Sequence, residues 1–242
     1  AADALYRLVE RDLRAIAGAY QFADWKEEPL AARFAWKKRP EWLSRDLPWP
    51  PPGKQVQADF GVTYARIAGE RVKVHLCVLT LGYSRRLVVR AYRHERQVNW
   101  LLAMEEAFRY WRGVPAEVLY SFGEACGYDN ARALVKEHDP ARQVLVFNER
   151  LDAFARYWGF LPKACRPYRV RTKGKDERGV GYVKTNAVAG REFAIWEALE
   201  AHLERWSREV ADVRIHGTTG EQPLLRFQRE EAAALQPLPH KP

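Results

Sequence analysis

Three carboxylates stand where a chain presents reactive groups. Asp59 falls in Gln57-Ala58-Asp59-Phe60-Gly61, Asp129 in Tyr128-Asp129-Asn130, and Glu177 in Lys173-Gly174-Lys175-Asp176-Glu177-Arg178, at intervals of 70 and 48 residues. The run around Asp59 reads as a strand, where an unpaired carboxylate is costly to bury and needs a partner, a cation or solvent. Asp129 lies at a strand-to-helix junction, a common place for binding residues. Three oxygen donors of this kind suit a hard divalent ion, Mg²⁺ or Mn²⁺. Two such ions roughly 3.5 to 4 Å apart can activate an attacking oxygen and stabilise a leaving one in phosphoryl transfer. Singly, each acid has a plainer reading: a hairpin-edge residue, a helix N-cap and a salt-bridge partner of Arg178. Their placement on strand, junction and helix, in that order, favours a joint role.

The charge around them has a matching pattern. Between Leu161 and Lys175 the chain carries Lys163, Arg166, Arg169, Arg171, Lys173 and Lys175 with no acid, a track suited to a phosphodiester backbone. A second basic stretch, Arg85, Arg86, Arg90, Arg93 and Arg96 with Glu95, reads as a half-exposed strand running into a loop. Overall, 40 Lys and Arg face 31 Asp and Glu, a formal charge of +9, which favours polyanionic partners without identifying one.

The alternatives narrow from composition. With 47% hydrophobic and 12% aromatic residues the chain is expected to fold around a core, which excludes a disordered chain. No run approaches the 18 or so apolar residues of a membrane span, so no membrane partner is expected. The N-terminus does not resemble a secretory signal. Cys77, Cys126 and Cys165 form no CxxC pair, so neither a disulfide framework nor a zinc site is expected, and a reducing cytoplasm is the natural compartment. Ser84 and Ser121 lack a matched histidine and acid for nucleophilic chemistry, and His216, between turn residues, reads as a turn or capping group.

The elements that must position the acids follow from periodicity. Leu5, Leu8, Val9, Leu13 and Ile16 mark a helix face, and residues 1–47 read as a helical N-terminal arm. Pro48-Trp49-Pro50-Pro51-Pro52-Gly53 reads as a linker, 48–53. The core is expected over 54–190, with a C-terminal helix and tail over 191–242. Val56 to Ile67 and Arg71 to Leu81 predict an antiparallel hairpin turning at Ala68-Gly69-Glu70. Arg86 to Tyr92 predicts a third strand, Gln97 to Trp111 a helix, and Glu117 to Tyr120 a short strand. Ala131 to Lys136 predicts a short helix, Val144 to Phe147 a buried strand, and Asn148 to Trp158 a helix capped by Asn148. Asp176 to Val183 and Phe193 to Val210 predict two more helices, the first weakened by Gly179 and Gly181. Three strands in series, then alternating strands and helices, imply an α/β protein with a mixed sheet flanked by helices.

From about residue 54 to the end, these motifs resemble the DDE catalytic domain of the IstA-type transposases of the insertion sequence 21 family, within the retroviral-integrase superfamily. Gln57 to Gly61 resembles the first-aspartate motif, with Phe60 where tryptophan is common, and Asp129-Asn130 resembles the second. Arg166-Pro167 through Thr172 to Arg178 resembles the signature around the glutamate, and His216 to Pro223 with Arg226-Phe227 the closing motif. Relatives run directly from the fourth strand into Asp-Asn. Here Ser121 to Tyr128 intervene, and Glu124 within them is a possible substitute ligand.

The resemblance implies an RNase H-like (integrase catalytic core) fold with a mixed five-stranded sheet. It implies a polynucleotidyl transferase in which Asp59, Asp129 and Glu177 hold two Mg²⁺ (or Mn²⁺) ions for cleavage at transposon ends and strand transfer into target DNA. Arg166, Arg169, Arg171, Lys173, Lys175 and Arg178 would contact DNA. It further implies a homo-oligomer on DNA, a helper AAA+ ATPase as a separate chain, since no Walker A loop occurs here, and a bacterial, nucleoid-associated location. An RNase H-like nuclease that only hydrolyses, and an inactive DNA-binding or assembly module, are the competing expectations.

Overall fold

The computed structural model describes residues 50–120, 134–139, 144–164 and 179–239. The chain divides after Pro48 into two compact units, and every described residue belongs to the second. The arm, Trp49, Cys126, Cys165, Asp129, Glu177 and all six DNA-contact candidates lie outside the described residues.

The architecture begins with a long hairpin. Strand β1, Gln55–Ile67, pairs antiparallel with β2, Glu70–Leu81, from Val56 opposite Leu81 to Ile67 opposite Glu70. Ala68 and Gly69 close it with φ of 51° and 82°, the two positive values that a tight turn matching the strand twist requires. Strand β3, Leu87–Tyr92, lies antiparallel to β2. On the other side, β4, Glu117–Tyr120, runs parallel to β1, and β7, Leu161–Ala164, runs parallel to β4. The sheet order is β3-β2-β1-β4-β7, and a two-residue strand β8, Glu192–Phe193, lies along the far end of β1.

Both faces of this sheet are covered because its strands alternate apolar residues between two cores. On one face Val56, Ala58, Phe60, Cys77 and Leu79 pack with α1, Gln97–Trp111, and α2, Glu149–Trp158. Trp100, Met104 and Phe108 of α1 are fully buried there. Asn148 caps α2 by accepting from Leu151 N at 3.0 Å, as its position in the sequence predicts. On the other face Leu76, Val78 and Val89 pack with α3, a helical turn over 179–182 continued by a π-helical turn, Val183–Val188. Leu199, Leu203 and Trp206 of α4, Trp196–Trp206, complete this second core.

The C-terminal segment is part of the core. Glu231, fully buried, accepts hydrogen bonds from Gly53 N at 3.3 Å and Ser84 N at 3.0 Å, and its pKa is raised by burial. Gly53 has φ of 68°, and a Cβ there would stand 2.2 Å from Ala234 O. The end of the linker is therefore clasped by the tail, and Gln236 pairs with Val114.

Several elements differ from expectation. Val135–Asp139 (β5) is a strand, not the end of a helix, and it pairs antiparallel with β6, Val144–Phe147, as a separate two-stranded sheet. Being outside the main sheet, β6 leaves Val146 exposed rather than buried. The long C-terminal helix starts at Trp196, because Phe193 instead joins β8 opposite Ile67. Arg85 and Arg86 are buried, not on a solvated face: Arg86 Nε bonds Asp212 Oδ2 at 2.9 Å and its guanidinium lies over the rings of Tyr110 and Phe227.

Candidate active site

Asp59 sits in β1 one residue past the end of its pairing with β4. Its register partner on β2 is Val78, and Phe60, facing the opposite side, packs on Trp100 at a ring separation of 4.5 Å. Phe60 thus anchors β1 in the α1-side core and turns Asp59 toward the α3 side, because successive side chains on a strand alternate. One residue earlier, Ala58 pairs with Tyr120 of β4, which pairs with Ala164 of β7. Ala58, Tyr120 and Ala164 form one row across three parallel strands, and Asp59 stands immediately beyond it. In open α/β sheets this carboxyl-terminal edge is where ligands are held.

The first residues of α3 close over the same place. A Cβ on Gly179 would lie 3.5 Å from Thr80 Oγ1 and 3.8 Å from Val78 Cγ1, and Val78 is the partner of Asp59. A Cβ on Gly61 would lie 2.2 Å from Val180 Cγ1 and 3.3 Å from Lys184 Nζ. The absent side chain at Gly61 is what admits α3 to the sheet beside Asp59. Lys184 adds a positive charge at this seam that the motif reading missed. Its signal was legible as a lysine seven residues, two helical turns, after Glu177.

Of the three predicted ligands the structure therefore places Asp59. Asp129 and Glu177 fall in stretches that lead, respectively, out of β4 at Tyr120 and into α3 at Gly179. Among the described residues no three His, Cys, Asp or Glu side chains come together as a metal site.

The electrostatics around the seam are uneven. Burial raises the Cys77 thiol pKa, and the nearby charges of Asp59 and Glu95 push it further, so this free cysteine is a core residue and not a nucleophile. Burial also pushes Glu95 up to about 7. At the opposite end of the sheet burial opposes ionisation of Glu117, but Lys163 and Lys54, each 2.8 Å away, together outweigh it and hold its pKa below the usual range. Lys163, the first cation of the basic run, is thereby set apart as an ion-pair partner. His216 is a turn residue, as expected: its amide donates to Glu221 O, its carbonyl accepts from Gly220 N, and its Nδ1 accepts from Thr218 N.

A family model described as the integrase core domain matches residues 50–170, from the end of the proline linker through β7, which takes in five strands of the main sheet; β8, a sixth beyond the five expected, lies outside the match. The chain belongs to the integrase core family. The RNase H-like α/β fold expected from the motifs is thus borne out, and so is the resemblance that they carried. Curated relatives of this integrase core include a putative transposase for insertion sequence element IS5376 of Geobacillus stearothermophilus, 37% identical over 191 residues. That alignment covers 78% of this chain and 44% of the relative. The transposase for insertion sequence element IS21 of Pseudomonas aeruginosa is 39% identical over 189 residues, covering 78% of this chain and 46% of the relative. The transposase for insertion sequence element IS640 of Shigella sonnei is 39% identical over 165 residues, covering 67% and 49%. The chain spans under half the length of each of these relatives.

Proposed function

We propose that this chain is the catalytic core of a DNA transposase that cleaves at transposon ends and joins the freed 3′ end to target DNA. The observation that carries the reading is the convergence at one sheet edge: Asp59, the ends of β4 and β7, and the start of α3 beside Gly61. The segment holding Asp129 leaves this edge from Tyr120, and the segment holding Glu177 enters it at Gly179. In this reading Asp59, Asp129 and Glu177 hold two Mg²⁺ or Mn²⁺ ions, which supply charge stabilisation for in-line displacement at phosphorus. An all-carboxylate donor set suits such hard ions. Arg166, Arg169, Arg171, Lys173, Lys175 and Arg178, in the stretch between β7 and α3, position the phosphate backbone. Asp59 is held by the Phe60 anchor, so its carboxylate is pre-positioned before DNA arrives.

The same reading places a helical arm at 1–47 and the linker at 48–53 ahead of a core over 54–190. It takes a homo-oligomer on paired DNA ends and a separate AAA+ ATPase as partners, in a cytoplasm where the protein associates with the nucleoid. Among the described residues no helix is long and apolar enough to cross a membrane.

The test is joining of a 3′-hydroxyl duplex end to a second duplex in Mg²⁺. Asp59→Asn, Asp129→Asn and Glu177→Gln each abolish joining while duplex binding persists, and Glu124→Gln retains it. Joining by Asp59→Asn would overturn the assignment. Cleavage without joining in the unmodified protein would favour a nuclease, and metal-independent DNA binding alone an inactive module.

A further inference from the structure

Beyond Asp59 the α1-side face of the hairpin changes character. Up to Phe60 that face is core: Val56, Ala58 and Phe60 are at most 3% exposed. Further along it, β1 presents Val62, Tyr64 and Arg66, and β2 presents His75, Lys73 and Arg71 directly across from them. Val62 is 37% and Tyr64 49% exposed, and Arg66, Arg71 and Lys73 are exposed as well. The hairpin continues nine residues past the row of Ala58, Tyr120 and Ala164, roughly 30 Å at strand rise, beyond the ends of β4 and β7.

We infer that this outer face of the β1–β2 hairpin is a second docking surface for duplex DNA, engaging its phosphate backbone outside the carboxylate site. The charge decides the class of partner. Arg66 has an acid, Glu192 of β8, as its register partner, whereas Arg71 and Lys73 of β2 lie across from Arg66 and Tyr64 of β1. The Arg71 guanidinium lies 4.0 Å from the Tyr64 ring centroid, which holds it over the strand surface. Arg66 and Arg71 are cross-strand partners and Lys73 is two residues, about 6.6 Å, along β2 from Arg71, so the three cations form one cluster on this face. Burial lowers the His75 pKa, and Lys73 and His94 lower it further, so the fixed cations of this face are Arg66, Arg71 and Lys73. A second copy of a chain carrying +9 is a poorer occupant, because like charge would meet like. The surface also starts at the sheet edge from which the basic run after β7 departs, so a duplex seated at that edge has the hairpin beside it.

This inference rests on the transposase reading only in taking DNA as the substrate. Its test is the salt dependence of binding to a labelled mixed-sequence duplex, for the unmodified protein, Arg71→Ala/Lys73→Ala, Arg66→Ala, and Lys136→Ala as an exposed lysine on the separate β5–β6 sheet. Each phosphate contact contributes about 0.9 to the slope of log K against log salt, so the double variant loses up to about 2 in slope, Arg66→Ala up to about 1, and Lys136→Ala none. Melting temperatures verify that all fold. Equal slopes in every protein overturn the surface, as does unchanged DNA binding with a smaller oligomer in the double variant. Mg²⁺-dependent cleavage is scored in the same samples. A reduced slope without cleavage by the unmodified protein sinks the transposase reading and leaves the surface standing.

Discussion

A methyl group on Gly61 would stand 2.2 Å from Cγ1 of Val180, closer than carbon atoms pack, so β1 and α3 meet only because Gly61 has no side chain. This pair joins the strand of Asp59 to the helix that follows Glu177. Gly61→Ala is expected to displace α3 at a cost of about 1 to 3 kcal/mol, the usual range for overpacking. Strand joining should fall further than stability, because the displaced helix is the one that follows Glu177. Denaturant unfolding and joining assays on the same protein check both. A variant with native stability and full joining would show that the seam does not set the site.

Arg86 and Asp212 form a buried ion pair, Nε to Oδ2 at 2.9 Å. Tyr110 OH donates to the same Oδ2 as Arg86, at 2.9 Å, whereas Asp212 Oδ1 has no partner. Burial raises the Asp212 pKa, and Arg86 and Tyr110 act against that rise. Removing the cation strands a buried carboxylate, so Arg86→Ala is expected to cost about 3 to 5 kcal/mol by denaturant unfolding. Arg86→Met/Asp212→Leu should cost much less, since neither charge is then buried alone.

Glu95 makes stability depend on pH. Its carboxyl is pushed up to about 7 by burial, above the ordinary 4.5, so the folded protein binds this proton more tightly than the unfolded chain does. Its stabilising contribution is complete below about pH 4.5 and is lost as pH rises through 7. Melting temperatures of Glu95→Gln and the unmodified protein, measured across that window, should diverge toward pH 7 with the variant higher. Parallel curves would remove Glu95 as the titrating group.

Much of the architecture was legible because local rules and tertiary packing agree. The Ala68-Gly69 turn, the apolar stripe of α1 and the Asn148 cap are each specified by neighbours a few residues away, and they occur where periodicity predicts them. Asp59 was legible as a charge within a strand. Val135 and Lys136 were misread as the end of a helix because a short run of mixed residues carries little periodic signal, and pairing with β6 decided for strand. The fate of Arg86 depended on Asp212, 126 residues away, which no local pattern anticipates.

By itself, then, the sequence determined the order of elements, the acids and basic run that bear the family's motifs, and the absent side chain at Gly61. Tertiary structure alone decided which face each residue serves. It turned Asp59 toward α3 by anchoring Phe60 under Trp100, drew Arg86 into an ion pair, and neutralised Lys163 with Glu117. The physical reason is that charge and burial are properties of distance in space. Two residues far apart in the chain acquire a shared electrostatic fate only when strands and helices bring them within a few ångströms.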